Sequence, residues 1–266
     1  MVKVSYTAGI RILLLFLFFT AGYNGNSAPI EAKELEKDRY DICLNSRAAA
    51  DYIYANEAVD KREEKITYLT FDDGPSRNTL KILEILDKYN IKATFFVVGK
   101  NVKENPNILK EIIIRGHMIG IHCYNHDYTE IYSSVEAYMD DFYKTFNLIK
   151  NITGIEPYIF RFPGGSVNSY NGKIRKDIAR EMERRGFIFY DWNSSCEDTV
   201  KGATSEKCIN SVINSSIDTC NIMLCHDIKD VTVLNLERYI KELNKKGYNH
   251  FDTLEGVPPV RFLNNF

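Results

Sequence analysis

From residue 66 onward the sequence predicts an α/β fold whose mostly parallel sheet closes into a barrel. Three observations carry this. Short β-branched or aromatic runs alternate with stretches of helical period. The helical stretches tend to stop at Gly or Asn. About seven such units fit into roughly 190 residues, which favours closure over an open sheet.

The strands are expected at 66–71, 94–98, 119–121, 158–161, 187–192, 222–226 and 248–253. Between them, Leu80, Leu83 and Leu86 form one helical stripe. Val135, Tyr138, Phe142, Phe146 and Ile149 form a second, and Leu236, Ile240 and Leu243 a third. Gly116, Gly154, Gly186 and Gly247 mark helix ends.

Ahead of the barrel, residues 1–22 have the layout of a secretory signal. Lys3 and Arg11 precede an apolar run at 12–19, followed by the small residues Thr20, Ala21 and Gly22. The run is short for an ordinary spanning helix, so export is expected, with an uncleaved N-terminal membrane anchor as the alternative. Residues 23–64 carry alternating charges and read as a solvated, partly helical segment. The barrel occupies 65–255 and a C-terminal tail 256–266.

At 266 residues, 44% hydrophobic and 26% charged, the chain can bury one large core. A formal net charge of -2 leaves no basic footprint, which excludes nucleic acid as an expected partner. A monomer is expected. The six cysteines, at 43, 123, 196, 208, 220 and 225, form no CxxC knuckle. Cys196 and Cys208 flank a loop near the expected barrel mouth and are a candidate disulfide, whereas Cys123 and Cys225 read equally well as buried thiols.

Barrel chemistry sits at the C-terminal ends of the strands, and unusual polar residues recur there. Asp72 and Asp73 follow the first strand, and His122 and His126 begin at the end of the third. Arg161, Asp191 and His226 end the fourth, fifth and sixth. An Asp pair alone reads as a turn or helix cap, and two histidines at i, i+4 alone as structural. Convergence on one mouth turns them into a site. Two imidazoles and a carboxylate make a three-ligand catalytic set for zinc, or for cobalt or another transition ion. A second adjacent carboxylate is then free to act as base. His117 is expected to be structural, and Asp127 and Asp227 to cap or shape turns.

Over residues 65–253 these motifs resemble the polysaccharide deacetylases of the NodB-homology type, carbohydrate esterase family four. The resemblance rests on Thr70-Phe71-Asp72-Asp73-Gly74-Pro75, His122-Cys123-Tyr124-Asn125-His126, Arg161-Phe162-Pro163-Gly164-Gly165, Asp191-Trp192 and Leu224-Cys225-His226. It implies a distorted (β/α)7–8 TIM-like barrel. It also implies Asp73, His122 and His126 as ligands of a divalent metal, Asp72 as base with Arg161 holding it ionised, and His226 as general acid with Asp191 as its partner.

Gly164 would offer a backbone N–H to the oxyanion, and Trp192 and Leu224 would line an acetyl pocket. Two positions depart from the family pattern: Cys123 stands where Ser or Thr is usual, and Gly164 where many members have Tyr. The implied activity is release of acetate from N-acetylglucosamine units of a secreted or cell-surface enzyme's polysaccharide substrate, peptidoglycan first. The alternatives are a chitooligosaccharide deacetylase, a xylan O-acetyl esterase and a non-catalytic glycan-binding barrel.

Overall fold

The computed structural model describes residues 65–264 and 266. The expected leader at 1–22, the charged segment at 23–64 and Cys43 lie outside the described residues. In chain order the elements are β1 (Lys65–Asp72), α1 (Arg77–Lys88), β2 (Thr94–Val98), α2 (Gly99–Glu104), α3 (Pro106–Ile114), β3 (Met118–Cys123), α4 (Tyr128–Ile131) and α5 (Val135–Thr153). They continue with β4 (Ile159–Phe160), α6 (Arg175–Arg184), β5 (Ile188–Phe189), β6 (Ser194–Ser195), α7 (Ser205–Ser215), β7 (Cys220–His226), α8 (Asp230–Lys245) and β8 (Tyr248–Phe251).

Every ladder is parallel, in the order β5-β4-β3-β2-β1-β7-β6. β8 runs beside the first half of β1, pairing Ile66 with His250 and Thr67 with Phe251. This is the expected α/β barrel, distorted because no ladder joins β5 to β6 among the described residues. At that gap the Asp191 N–H, just past β5, donates to the Val260 carbonyl at 2.8 Å. Val260 of the expected tail at 256–266 is therefore bonded to the barrel.

The period of two along a strand decides which residues can reach the site. On β1, Leu69 and Phe71 face the helices and join the large outer core, while Tyr68 packs with the small inner cluster of Phe96, Ile159, Tyr190, Ile222 and Leu254. Thr70 and Asp72 share the inner face with Tyr68. On β7, Met223 and Cys225 join the outer core, which leaves Leu224 and His226 for the inner face.

Helix packing follows the expected stripes with one correction. In α1 the buried face is Asn78, Thr79, Ile82, Leu83 and Leu86, and Leu80 is 37% exposed. At 100° per residue Leu80 lies about 140° round the helix from the face that Ile82 and Leu86 share. In α5, Tyr138, Phe142 and Ile149 are buried, with Val135 and Phe146 half-buried against them. Each fully buried Leu or Phe contributes about 1.5–3 kcal/mol. Gly154 ends α5 at φ 75, a left-handed value that other residues adopt at a cost. Among the described residues no helix is long and apolar enough to cross a membrane.

Candidate active site

Asp72 ends β1 with its side chain buried in the barrel mouth. Its Oδ1 accepts from Arg161 Nη1 at 2.9 Å. Arg161, fully buried just after β4, also donates to Thr70 Oγ1 (2.7 Å), the Tyr190 carbonyl (3.0 Å) and the Asp191 carbonyl (3.1 Å). Its guanidinium lies 4.3 Å from the centre of the Phe96 ring. A buried Arg so fully bonded is a fixed charge rather than a mobile one. Burial raises the Asp72 carboxyl above its ordinary value, and Arg161 is the strongest influence pulling it back. Arg161 thus opposes desolvation without outweighing it.

Asp73, at φ 77, turns the chain so that its carboxylate faces two histidines. Its Oδ1 lies 3.5 Å from His122 Nε2 and 3.3 Å from His126 Nε2. The three ligand atoms fall within 4.8 Å of one another. That oxygen is buried with no hydrogen-bond partner among the described residues, an arrangement costly enough to call for a cation. His122 is prepared for one. Burial lowers its pKa to about 3, so the ring is neutral, and Nδ1 pairs with the Arg161 carbonyl at 2.9 Å, which leaves Nε2 with its lone pair towards Asp73. The donor set fits zinc or a related divalent transition ion.

The loop bearing His126 is held by side chains of α5. Asp141 accepts the N–H groups of Tyr124 (2.6 Å) and Asn125 (3.2 Å), and Thr145, one turn on, donates to the Cys123 carbonyl at 2.9 Å. The Cys123 thiol is buried beside this turn. Asp141→Ala is expected to weaken zinc binding about 10–100-fold, the range for losing a group that orients a ligand. Titration calorimetry checks this, with circular dichroism reporting that the fold persists.

His226 ends β7. Its Nδ1 lies 2.7 Å from Asp198 Oδ1, and its backbone N–H donates to Asp198 Oδ2 at 2.8 Å. Thr232 Oγ1 donates to the same oxygen. Burial would lower the His226 pKa, but the hydrogen bond and charge of Asp198, with Asp72 and Asp73 beyond, lift it to about 9. The imidazolium is the stable form near neutrality.

The expected pairing of His226 with Asp191 is therefore corrected. The Asp191 carboxylate accepts from Ser166 N (2.8 Å), Ser166 Oγ (2.5 Å) and Phe262 N (2.7 Å), which join the loop after Arg161 to the C-terminal tail. The topology explains why. β5, which Asp191 follows, lies at the far end of the sheet from β7, whereas Asp198 follows β6, the neighbour of β7. A strand of two serines carries no hydrophobic signal. The only available sign was a carboxylate in Glu197-Asp198-Thr199 close downstream of Asp191.

The other expected residues fall as follows. Trp192 is half-buried, 5.0 Å edge-on to Phe262 and 5.7 Å from the Arg161 guanidinium. Leu224 is buried two residues before His226. Asp127 caps α4, accepting the N–H groups of Thr129 and Glu130. Asp227 is buried and accepts Thr79 Oγ1 at 2.5 Å, with its carboxyl pushed up to about 7 by burial. His117 accepts the Ala93 N–H at 3.1 Å, and burial lowers it to about 4. Cys196 and Cys208 are both free and buried, so the candidate disulfide is absent.

Comparison with known proteins agrees with this geometry. The family profile described as polysaccharide deacetylase matches residues 59–187. A peptidoglycan-N-acetylglucosamine deacetylase of Bacillus cereus is 32% identical over 192 residues, covering 70% of this chain and 68% of the relative. The crystal structure of the catalytic domain of peptidoglycan N-acetylglucosamine deacetylase from Eubacterium rectale superposes with a TM-score of 0.72 at 36% identity, over 79% of this chain and 99% of that one. A polysaccharide deacetylase structure from Bacillus cereus gives a TM-score of 0.68 at 30% identity, over 74% and 97%. With the fold, the motifs and these relatives in agreement, the chain belongs to the polysaccharide deacetylase family of carbohydrate esterases.

Proposed function

We propose that the protein is a divalent-metal-dependent hydrolase that removes N-acetyl groups from N-acetylglucosamine units of peptidoglycan, outside the cytoplasm, and releases acetate. The carrying observation is the pair of adjacent carboxylates at the end of β1, buried Asp72 and half-buried Asp73, each with a different surrounding. Asp73 presents a bare oxygen to two imidazoles, while Asp72 is anchored through one oxygen to Arg161. Two of the proteins named above, peptidoglycan N-acetylglucosamine deacetylases by their names, support the choice of polymer.

Asp73, His122 and His126 would hold the ion. Once bound, it acidifies water and polarises the acetyl carbonyl. Asp72 Oδ2, the oxygen that Arg161 Nη1 does not contact, lies 4.0 Å from His122 Nε2 and takes the proton of the attacking water. As the family resemblance implies, the Gly164 N–H would donate to the oxyanion. His226, with Asp198 holding Nδ1, gives its Nε2 proton to the amine as the C–N bond breaks. Water and amide thereby become acetate and a free amine. Leu224 and Trp192 would enclose the acetyl methyl.

The test is an acetate assay of the zinc- or cobalt-loaded protein against peptidoglycan, chitin oligomers and O-acetylated xylan. Release from peptidoglycan, abolished by a chelator, is the expected result. Release only from xylan, or glycan binding with no turnover on any of the three, would overturn the reading.

A further inference from the structure

We infer that Tyr128 and Tyr170 form a second sugar subsite, which seats the pyranose ring next to the one being deacetylated. This rests on the proposed function and deepens it. Beside His126 lies an open cavity of about 460 Å³ lined by Lys100, Asn125, Glu130 and the two tyrosines. Tyr128 bridges it to the candidate metal site: its ring centre is 5.1 Å from that of His126 and 5.2 Å, edge-on, from that of Tyr170. Position 164 leaves the room for this. Gly164 has φ 73, and a Cβ there would stand 3.2 Å from the Tyr128 hydroxyl. The phenol of Tyr128 occupies the space that a side chain at 164 would take.

Tyr170 is 53% exposed, yet it is not on a loose loop. Asn168 Oδ1 accepts the N–H groups of Tyr170 (2.8 Å) and Asn171 (3.0 Å), and Asn168 Nδ2 donates to the carbonyls of Pro163 (3.1 Å) and Gly165 (3.0 Å). The fully buried Asn171 donates to the Gly165 carbonyl as well, at 3.2 Å. A solvent-facing aromatic ring on a backbone so fully bonded is preorganised, so little ordering opposes binding. The chemistry around it suits a pyranose, whose axial C–H faces pack on aromatic rings while its hydroxyls need polar partners at the edge. Lys100 and Asn125 offer donors, Glu130 an acceptor, and Tyr128 a phenol hydroxyl. The rings run from His126 outward, so a chain bound there continues from the reacting sugar.

Steady-state kinetics on N-acetylglucosamine oligomers of two to five units test this. In the unaltered protein kcat/KM should rise with chain length. Tyr170→Ala should raise KM for the tetramer about tenfold with kcat nearly constant, and flatten the length dependence, while Tyr170→Trp keeps both. An unchanged KM profile in Tyr170→Ala overturns the subsite, as does a fall in kcat with KM intact. If the unaltered protein releases no acetate from these oligomers, it is the proposed function that fails. The subsite then stands or falls on binding of the tetramer by calorimetry, which Tyr170→Ala must weaken about tenfold.

Discussion

Asp72→Asn is expected to slow acetate release about 10²–10⁴-fold, the range for removing a general base, while zinc affinity stays within a few-fold of the unaltered protein. The amide keeps the size of the carboxylate and its oxygen can still accept from Arg161 Nη1, now 2.9 Å from Asp72 Oδ1. The proposed ligands Asp73, His122 and His126 are untouched. Both variants remove the counter-charge of the fully buried Arg161, but Asp72→Ala also removes the acceptor of its Nη1 and leaves a void beside it. Breaking a buried pair in this way costs about 3–5 kcal/mol. Comparing the two variants therefore separates chemistry from stability. Both should lose turnover, and the alanine variant should lose more melting temperature than the asparagine variant, which keeps an acceptor for Arg161. Turnover in Asp72→Asn above a tenth of the original would remove Asp72 from the role of base.

The second large effect concerns the acid. His226→Ala should cost about 10²–10⁴-fold on an N-acetyl substrate and less on an O-acetyl ester, whose leaving group needs no proton to the same degree. Asp198→Asn gives the sharper test because its effect has a direction in pH. His226 is lifted to about 9 against the pull of burial, chiefly by Asp198, so its acidic form persists until pH rises through that value. Without the Asp198 carboxylate burial prevails, and the alkaline limb of the kcat profile should move down by about two units or more. The same raised pKa makes a stability contribution that is complete below the ordinary histidine value of 6.5 and lost as pH rises through about 9. Asp191→Asn should leave the alkaline limb where it is and lower the melting temperature, since Asp191 joins Ser166 to the tail at Phe262. A shifted limb in Asp191→Asn and none in Asp198→Asn would reverse the assignment.

Much of the molecule was legible from local pattern. The runs at 66–71, 94–98 and 222–226 lie within β1, β2 and β7 because buried parallel strands are continuous apolar stretches, a signal that needs no knowledge of neighbours. Leu236, Ile240 and Leu243 are buried in α8 because helical spacing alone puts them on one face. The clustering of Asp73, His122 and His126 followed from their places at strand ends, since strands of a parallel barrel all point the same way.

What the sequence determined by itself is the feature set that depends on distance along the chain: the alternation of elements, the two faces of each strand, and the residues delivered to one mouth. What only the tertiary structure decided depends on which strands are neighbours. Asp191 and Asp198 both follow strands near the mouth, and nothing local ranks one above the other as partner of His226. The answer comes from β6, a two-residue strand that lies beside β7, and from a gap beside β5 where tail residues up to Phe262 claim Asp191. Leu80 was misjudged for a related reason, because a spacing of three drifts off a face that only the packed sheet defines. Carboxylate pairing and helix facing are settled by close approach in space, and close approach between distant segments leaves no trace in the order of residues.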